Sequence, residues 1–169
     1  MKAQSETLVF VLLFLLSVGL FTVAVFWSKD VFQQNVDMTK VSSAEKFMKD
    51  IDYTIKSLIK FGGYKEIDYR VDGPITLIDG KTIEVRTVVP SEISLPRYWN
   101  NISSDSSFIR EMLDGDVFRI QLIYPENEYK IEFFTEGPTI AKPKIVKVEK
   151  NSTYIENNKA AIKIRITFI

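Results

Sequence analysis

The chain has 169 residues, with 22 Lys or Arg against 22 Asp or Glu, and it contains neither Cys nor His. This neutral balance predicts no basic surface for nucleic acid and no attraction to anionic lipid headgroups. The two missing residue types exclude disulfides, thiolate metal sites and the usual general base near neutral pH. We therefore expect a protein that is not an enzyme and that holds no metal and no cofactor.

The first predicted element is an apolar helix. The residues from Leu8 to Trp27 form a run of twenty without a charge, and a helix of that length spans about 30 Å, the hydrocarbon thickness of a bilayer. Trp27 at the far end suits an interfacial anchor. The run is longer than the apolar region of a cleaved secretory signal, and no Ala-x-Ala pattern follows it. We predict that the chain keeps this helix.

The residues before the run are Lys2-Ala3-Gln4-Ser5-Glu6. Followed directly by an apolar helix, they resemble the class III signal peptide of archaeal type IV pilin-like proteins, over about the first 27 residues. The resemblance implies that a prepilin peptidase removes residues 1–3 by cutting between Ala3 and Gln4. Residues 4–28 would then pack with copies of the chain or related pilin-like subunits in a filament core, or stay in the membrane. A plain signal anchor without a cut is the alternative.

Glu6 and one face of the apolar run are the candidate assembly residues. A carboxylate at the start of a long helix meets unpaired N–H groups and the positive end of the helix dipole, so Glu6 either caps the helix in the headgroup region or pairs with the new α-amino group of a neighbouring subunit. Phe10, Phe14 and Phe21 share roughly one face with Ser17. We expect these large side chains to pack in a bundle or to face lipid.

The charges that flank the run predict its orientation. Lys2 and the terminal amine precede the helix, whereas Lys29 and Asp30 cancel each other after it. The positive-inside tendency places the N-terminus in the cytoplasm and the rest of the chain outside. The chain is therefore predicted to be a single-pass membrane protein with an extracellular head.

The helix is predicted to continue through residues 29–61 as an amphipathic segment, because neither Pro nor Gly interrupts it. Apolar residues recur at spacings of three or four, which makes one stripe: Val41, Ala44, Met48, Ile51, Ile55 and Leu58. Gly62-Gly63 supplies a stop signal typical of a helix C-terminus. The alternative is two helices with a break near Gln33-Gln34-Asn35, where the stripe is weakest.

Residues 62–169 are predicted to form a β-rich head, because the apolar period changes to two after Gly63. The patterns predict a hairpin through Asp79-Gly80, a second hairpin from 117–124 and 129–134, a third strand pair from 145–148 and 161–168, and a short helix over 105–113. The predicted fold class is α+β: a long N-terminal helix, membrane-spanning in its first half, packed against a mostly antiparallel and pilin-like head.

Three features of the head invite a chemical interpretation. Asp114-Gly115-Asp116 is predicted to be a turn, because a Ca²⁺ site needs about six to eight oxygen ligands in a spaced series. Pro96-Arg97-Tyr98-Trp99 gathers aromatic residues and an arginine in a loop, either as a binding surface or as a cover for the sheet edge or core. Asn101 and Asn151 begin sequons in predicted loops and are the candidate glycosylation sites.

Together these features predict a structural protein: a major or minor subunit of an archaeal type IV pilus-like surface filament, assembled through its apolar N-terminal helix. Two alternatives stay open. One is a monomeric, signal-anchored extracytoplasmic binding module, and the other is an accessory component of an archaellum or secretion apparatus.

Overall fold

A computed structural model describes residues 2–90, 93–103, 107–126, 129–156 and 158–169, with side chains from residue 8 onward. One helix, α1, runs from Lys2 to Phe61. It passes without interruption through Gln33, Gln34 and Asn35, so the continuous helix is confirmed and the alternative of two helices is wrong. By internal contacts the chain divides into a first unit that ends at Val36 and a second unit from Asp37 to Ile169.

Within the second unit, α1 supplies the centre of the core. The six stripe residues predicted between Val41 and Leu58 are all buried, and Phe47 joins them. The Phe47 ring meets the Tyr69 ring edge to face, with centroids 4.9 Å apart. Because burying each large apolar side chain contributes roughly 1.5–3 kcal/mol, this stripe is a main source of the head's stability.

The helix ends at the predicted glycines. Gly62 has a φ of 72°, and its N–H donates to the Leu58 carbonyl at 2.8 Å, which is the bond of an αL cap. The Lys150 ammonium donates to the Ile59 carbonyl at 2.8 Å. A cation at this end also complements the negative end of the helix dipole.

The described part of the head contains ten strands in two sheets. In chain order they are β1 (Tyr64–Asp68), β2 (Ile75–Ile78), β3 (Thr82–Val88), β4 (Asn100–Ser103), β5 (Phe108–Asp114), β6 (Val117–Ile123), β7 (Tyr129–Phe134), β8 (Ile140–Ala141), β9 (Ile145–Glu156) and β10 (Lys159–Phe168). The four-stranded sheet has the order β1-β9-β10-β7, and the six-stranded sheet has the order β4-β5-β6-β3-β2-β8. Every pair is antiparallel except β10 with β7.

Two of the predicted strand pairs are confirmed. Asp79 and Gly80 both have positive φ, and Lys81 N–H closes the turn on the Ile78 carbonyl at 3.1 Å, as a type I′ hairpin turn requires. Strands β9 and β10 pair as predicted. They are longer than expected, because β9 continues to Glu156 and takes up most of the predicted connection.

Two other predictions for the head are wrong. The expected hairpin of β6 with β7 does not form, because β6 pairs with β3 and β5 whereas β7 pairs with β10 in the other sheet. The expected short helix over 105–113 is instead strand β5 from Phe108 onward, and its first two residues, Asp105 and Ser106, lie outside the described residues. Gly115, which follows the predicted helix, instead lies in the turn between β5 and β6.

The helix stripe and the inner faces of both sheets share one core. The six-stranded sheet contributes Ile83, Val85, Ile109, Ile120 and Leu122, and the four-stranded sheet contributes Val146, Val148, Ile162, Ile164 and Ile166. The apolar period of two predicted for the head is thus confirmed in β10, where Ile162, Ile164 and Ile166 are buried. The architecture is α+β, with a long helix packed through residues 41–58 against predominantly antiparallel sheets, as the sequence predicted.

Candidate functional site

The first unit displays a continuous apolar surface. Between Leu8 and Trp27 its exposed large apolar side chains are Leu8, Val9, Phe10, Val11, Leu12, Leu13, Phe14, Leu15, Leu16, Val18, Leu20, Phe21, Val23, Val25, Phe26 and Trp27. By length and composition, this helix is sufficient to cross a membrane. Contiguous exposed apolar surface of this extent marks a site that is covered by lipid or by other protein.

The three phenylalanines predicted to mediate assembly are among these exposed residues. Near them, the Ser17 hydroxyl donates to the Leu13 carbonyl and the Thr22 hydroxyl donates to the Val18 carbonyl, each at 2.8 Å. An apolar environment requires such internal pairing, because a hydroxyl without a partner is costly there. The two hydroxyl groups are therefore already suited to lipid or to a helix bundle.

The predicted processing site belongs to the start of α1. Ala3 and Gln4 lie in its first turn, where backbone N–H groups have no intrahelical acceptor. The side chains of these residues and of Glu6 lie outside the described part of the structure. Cleavage after Ala3 and charge pairing by Glu6 therefore stay predictions.

The second unit carries a polar row across the outer face of the six-stranded sheet, opposite the core. Strand register places Thr76, Glu84, Gln121, Arg110 and Asn101 side by side on β2, β3, β6, β5 and β4. Glu84 is fully buried in spite of facing outward. Burial would raise its pKa, but hydrogen bonds donated by Gln121, Arg86 and Arg119 outweigh that effect and lower the pKa below its ordinary value.

Trp99 lies on this outer face. The Arg110 guanidinium is 4.5 Å from the centroid of its ring, and the Arg119 guanidinium is 5.6 Å away. Both distances are within the range of cation–π attraction. Trp99 is 36% exposed and lies over arginines of the sheet, so it does not belong to the core. A binding surface and a cover for the sheet edge both stay open as interpretations of this loop.

The outer face of the four-stranded sheet has a different electrostatic character. Lys130 pairs with Glu132 at 2.7 Å and with Glu156 at 2.9 Å. Hydrogen bonds from Lys130 and from the Tyr154 hydroxyl lower the pKa of Glu132. Arg165 bridges two further carboxylates on this face. Acids and bases thus neutralise each other in pairs here.

Both sequon asparagines are exposed, but they lie in strands rather than in the predicted loops. Asn101 is in β4 beside an irregularity in its register with β5. Asn151 is in β9 where the register with β10 shifts, because Lys150 and Ser152 have partners in β10 and Asn151 has none. Sequence could not reveal these irregularities, since a bulge depends on the neighbouring strand. Glycosylation of either residue remains a prediction.

The turn predicted at Asp114-Gly115-Asp116 is confirmed, although it joins two strands rather than a helix and a strand. Gly115 has a φ of 61°, which favours glycine. Asp114 lies 3.5 Å from Arg119. Within the described residues, no three acidic side chains gather in an arrangement that would hold a metal ion.

Sequence reasoning missed two buried carboxylates near the contact of α1 with the six-stranded sheet, Asp52 of α1 and Glu111 of β5. Asp52 accepts a hydrogen bond from the Tyr124 hydroxyl and pairs with Lys56 at 2.8 Å. Burial, and after it the Asp52 charge, raises the pKa of Tyr124. Its partner Tyr124 lies 72 residues further along the chain, so no local pattern indicated that Asp52 is buried.

The second missed carboxylate is Glu111 in β5. It is buried, and its Oε2 atom has no hydrogen-bond partner among the described residues. Burial and the Glu45 carboxylate of α1 raise its pKa, against smaller opposing effects of Asn100 and Lys49. Glu111 faces inward because alternate residues of a strand share one face. We expected a helix in this segment, so the period of two was not considered there.

Comparison of the chain with protein-family models, with curated proteins and with solved structures gives no match. Fold and site together define a class: a protein with an exposed apolar helix segment joined to an α+β head. Any more specific function has to be argued from the residues of this chain.

Proposed function

We propose that this protein is a structural subunit of a type IV pilus-like surface filament and that its copies associate through the apolar segment Leu8–Trp27. One observation carries the proposal: the large apolar side chains of this segment are exposed, whereas the apolar stripe further along the same helix is buried in the head. Helices without charges associate through van der Waals packing of their side chains once water is excluded.

Before assembly, the same segment would hold the subunit in a membrane as a single span. The N-terminus would be cytoplasmic and the head extracellular, following the charges beside the segment. A prepilin peptidase would cut between Ala3 and Gln4. Internal pairing of the Ser17 and Thr22 hydroxyls supports both states, because neither group needs water.

The intact mass of protein isolated from its own cells, together with electron microscopy of material sheared from the surface, tests this proposal. We expect filaments whose subunit begins at Gln4. A chain that still begins at Met1 or Lys2, found in membranes with no filament, would contradict it and support the anchored binding module.

A matched pair of variants tests the role of Glu6. If its carboxylate pairs with the α-amino group of a neighbouring subunit, Glu6→Ala reduces the yield of filaments but leaves insertion into the membrane unchanged. Ser5→Ala, a substitution of the adjacent polar residue, is the control and should assemble normally. Equal filament yields for both variants would refute the pairing role while leaving helix packing to be judged separately.

The anchored binding module is the second candidate function, and one observation favours it. The outer face of the six-stranded sheet exposes Trp99 beside two arginines, whereas ion pairs neutralise the other sheet's outer face. A surface of this kind suits a ligand, whether the head belongs to a monomer or to a filament.

A further inference from the structure

The arginines on the outer face of the six-stranded sheet are packed unusually closely. Arg86 of β3 lies directly opposite Arg119 of β6. Arg110 of β5 lies opposite Gln121, the residue two positions along β6 from Arg119. Like charges directly opposite each other destabilise a sheet, so this arrangement needs a compensating group. We call Arg86, Arg110, Arg119 and Trp99 the arginine–tryptophan platform.

The Glu84 carboxylate compensates the positive charges of Arg86 and Arg119. Glu84 is fully buried, and its carboxylate accepts hydrogen bonds from both Arg86 and Arg119. Among the described residues, the other carboxylate near these arginines is that of Asp114, which lies 3.5 Å from Arg119 and is largely exposed. Within that part of the chain three guanidinium groups face two carboxylates, and the fully buried one is out of reach of a ligand. The described residues therefore give the accessible part of the platform an excess of positive charge.

The platform also has donors to spare. Arg86 uses its Nε–H for Glu84, and Arg110 uses Nε and one terminal nitrogen for the Gln121 side-chain oxygen. Their other N–H groups make no hydrogen bond with the described residues, and the Arg86 side chain is 46% exposed. The planar guanidinium fork matches the two oxygens of a carboxylate.

Trp99 adds an exposed aromatic surface to the platform, and binding of a simple anion would not use it. Its ring is held over the sheet by Arg110 and Arg119, yet more than a third of the residue is accessible. The negative face of an indole attracts the polarised C–H groups of a sugar ring as it attracts cations. The indole of Trp99, in the loop before β4, thus lies against the Arg110 guanidinium, which has N–H groups that make no hydrogen bond with the described residues.

We propose that the arginine–tryptophan platform binds an acidic carbohydrate. The sugar ring packs on the exposed part of Trp99, and its carboxylate accepts hydrogen bonds from the free N–H groups of Arg86 and Arg110. Because the platform belongs to the head alone, this site does not depend on filament formation. A neutral sugar would leave the excess positive charge uncompensated, and a small inorganic anion would leave the indole uncovered.

Calorimetric titration of the full chain in detergent micelles tests the site, with trigalacturonic acid as the acidic probe and maltotriose as the neutral one. We expect the acidic trisaccharide to bind and maltotriose to bind at least tenfold more weakly. Trp99→Ala and Arg110→Gln should each weaken binding about tenfold. Absence of binding by the acidic trisaccharide, or equal binding of both sugars, would overturn the proposal.

Lys163→Gln is the matched control, since Lys163 lies 5.2 Å from the Tyr154 ring in a cation–π pair on the other sheet. Its affinity for trigalacturonic acid should match that of the unaltered chain, and an equal loss in this variant would contradict the site. If Trp99→Ala fails to fold, Arg86→Gln carries the same test from a half-exposed position. Displacement of the trisaccharide by equimolar inorganic sulfate would show a general anion site and would overturn the carbohydrate assignment.

Discussion

Two parts of α1 use apolar residues in opposite ways. In Leu8–Trp27 the apolar side chains surround the helix and are exposed. In residues 37–61 most of them form one stripe that belongs to the same core as both sheets, while lysines and other polar residues occupy much of the remaining surface. An amphipathic stripe is satisfied by one head domain, but a helix that is apolar all round needs lipid or other helices on every side. The pattern along a single helix therefore separates the part that folds with the head from the part that, in our proposal, packs against other copies.

Ile51→Ala is expected to have the largest effect on the head. Ile51 is fully buried in the core, so the truncation should lower the free energy of unfolding by about 3 kcal/mol. Leu16→Ala, an equally apolar change at an exposed position of the same helix, should alter it by less than about 0.5 kcal/mol. Urea unfolding in detergent micelles, followed by near-ultraviolet circular dichroism, measures both. Similar losses of unfolding free energy in both variants would contradict the claim that only the second part of α1 stabilises the head.

Leu16→Asp reverses that contrast. A carboxylate at the centre of a spanning helix costs about 3 kcal/mol of insertion free energy, while unfolding of the head should not change. Alkaline carbonate extraction of membranes measures the insertion, and we expect the variant to shift toward the soluble fraction. Full membrane retention of the aspartate variant would argue that the segment is not in contact with lipid.

Tyr124→Phe probes the contact of the second part of α1 with the strand region. Removing the hydroxyl takes away the hydrogen bond to the buried Asp52, which keeps its pairing with Lys56. We expect a loss of about 1–2 kcal/mol in the free energy of unfolding. Tyr53→Phe, at an exposed tyrosine of the same helix, is the control and should be neutral. A neutral Tyr124→Phe would show that the bond contributes nothing to helix packing.

Glu111→Gln is expected to stabilise the head by about 1 kcal/mol, because it removes a charge from a buried carboxylate with an unpartnered oxygen. Its pKa is raised in the folded protein, so the unfolding free energy falls as the pH rises through that value. The stabilisation should be full at pH 8 and should shrink toward pH 4, near the unfolded pKa of about 4.3. Unfolding at the two pH values checks this, and a gain independent of pH would contradict the electrostatic cause.

Local patterns predicted the helix, its stripe, its glycine stop and the Asp79-Gly80 turn, because each depends on residues close together in the chain. Strand partners were less predictable. The segment before Gly115 has helix-like end signals, but pairing with β6 and burial of Ile109 outweigh them. The parallel pairing of β10 with β7 joins distant segments and leaves no local signal.

The two candidate sites also differ in whether they depend on local sequence or on strand pairing. The exposed apolar segment was evident from composition alone, since twenty residues without a charge need no tertiary context. Of the arginine–tryptophan platform, the sequence indicated Trp99 but not its three arginines. In the sequence Arg97 stands two residues before Trp99, whereas the arginines that contact the ring are Arg110 and Arg119, brought there by strand register.

Cross-linking between copies tests the central claim most directly, because the chain has no Cys and a single introduced thiol reports one position. Phe14 and Tyr53 are both aromatic residues of α1 and are 68% and 71% exposed. With Phe14→Cys in its native cells, mild oxidation should give covalent dimers of the chain, while Tyr53→Cys should give far fewer. Absence of dimers from Phe14→Cys, or equal yields at both positions, would contradict association through the apolar segment.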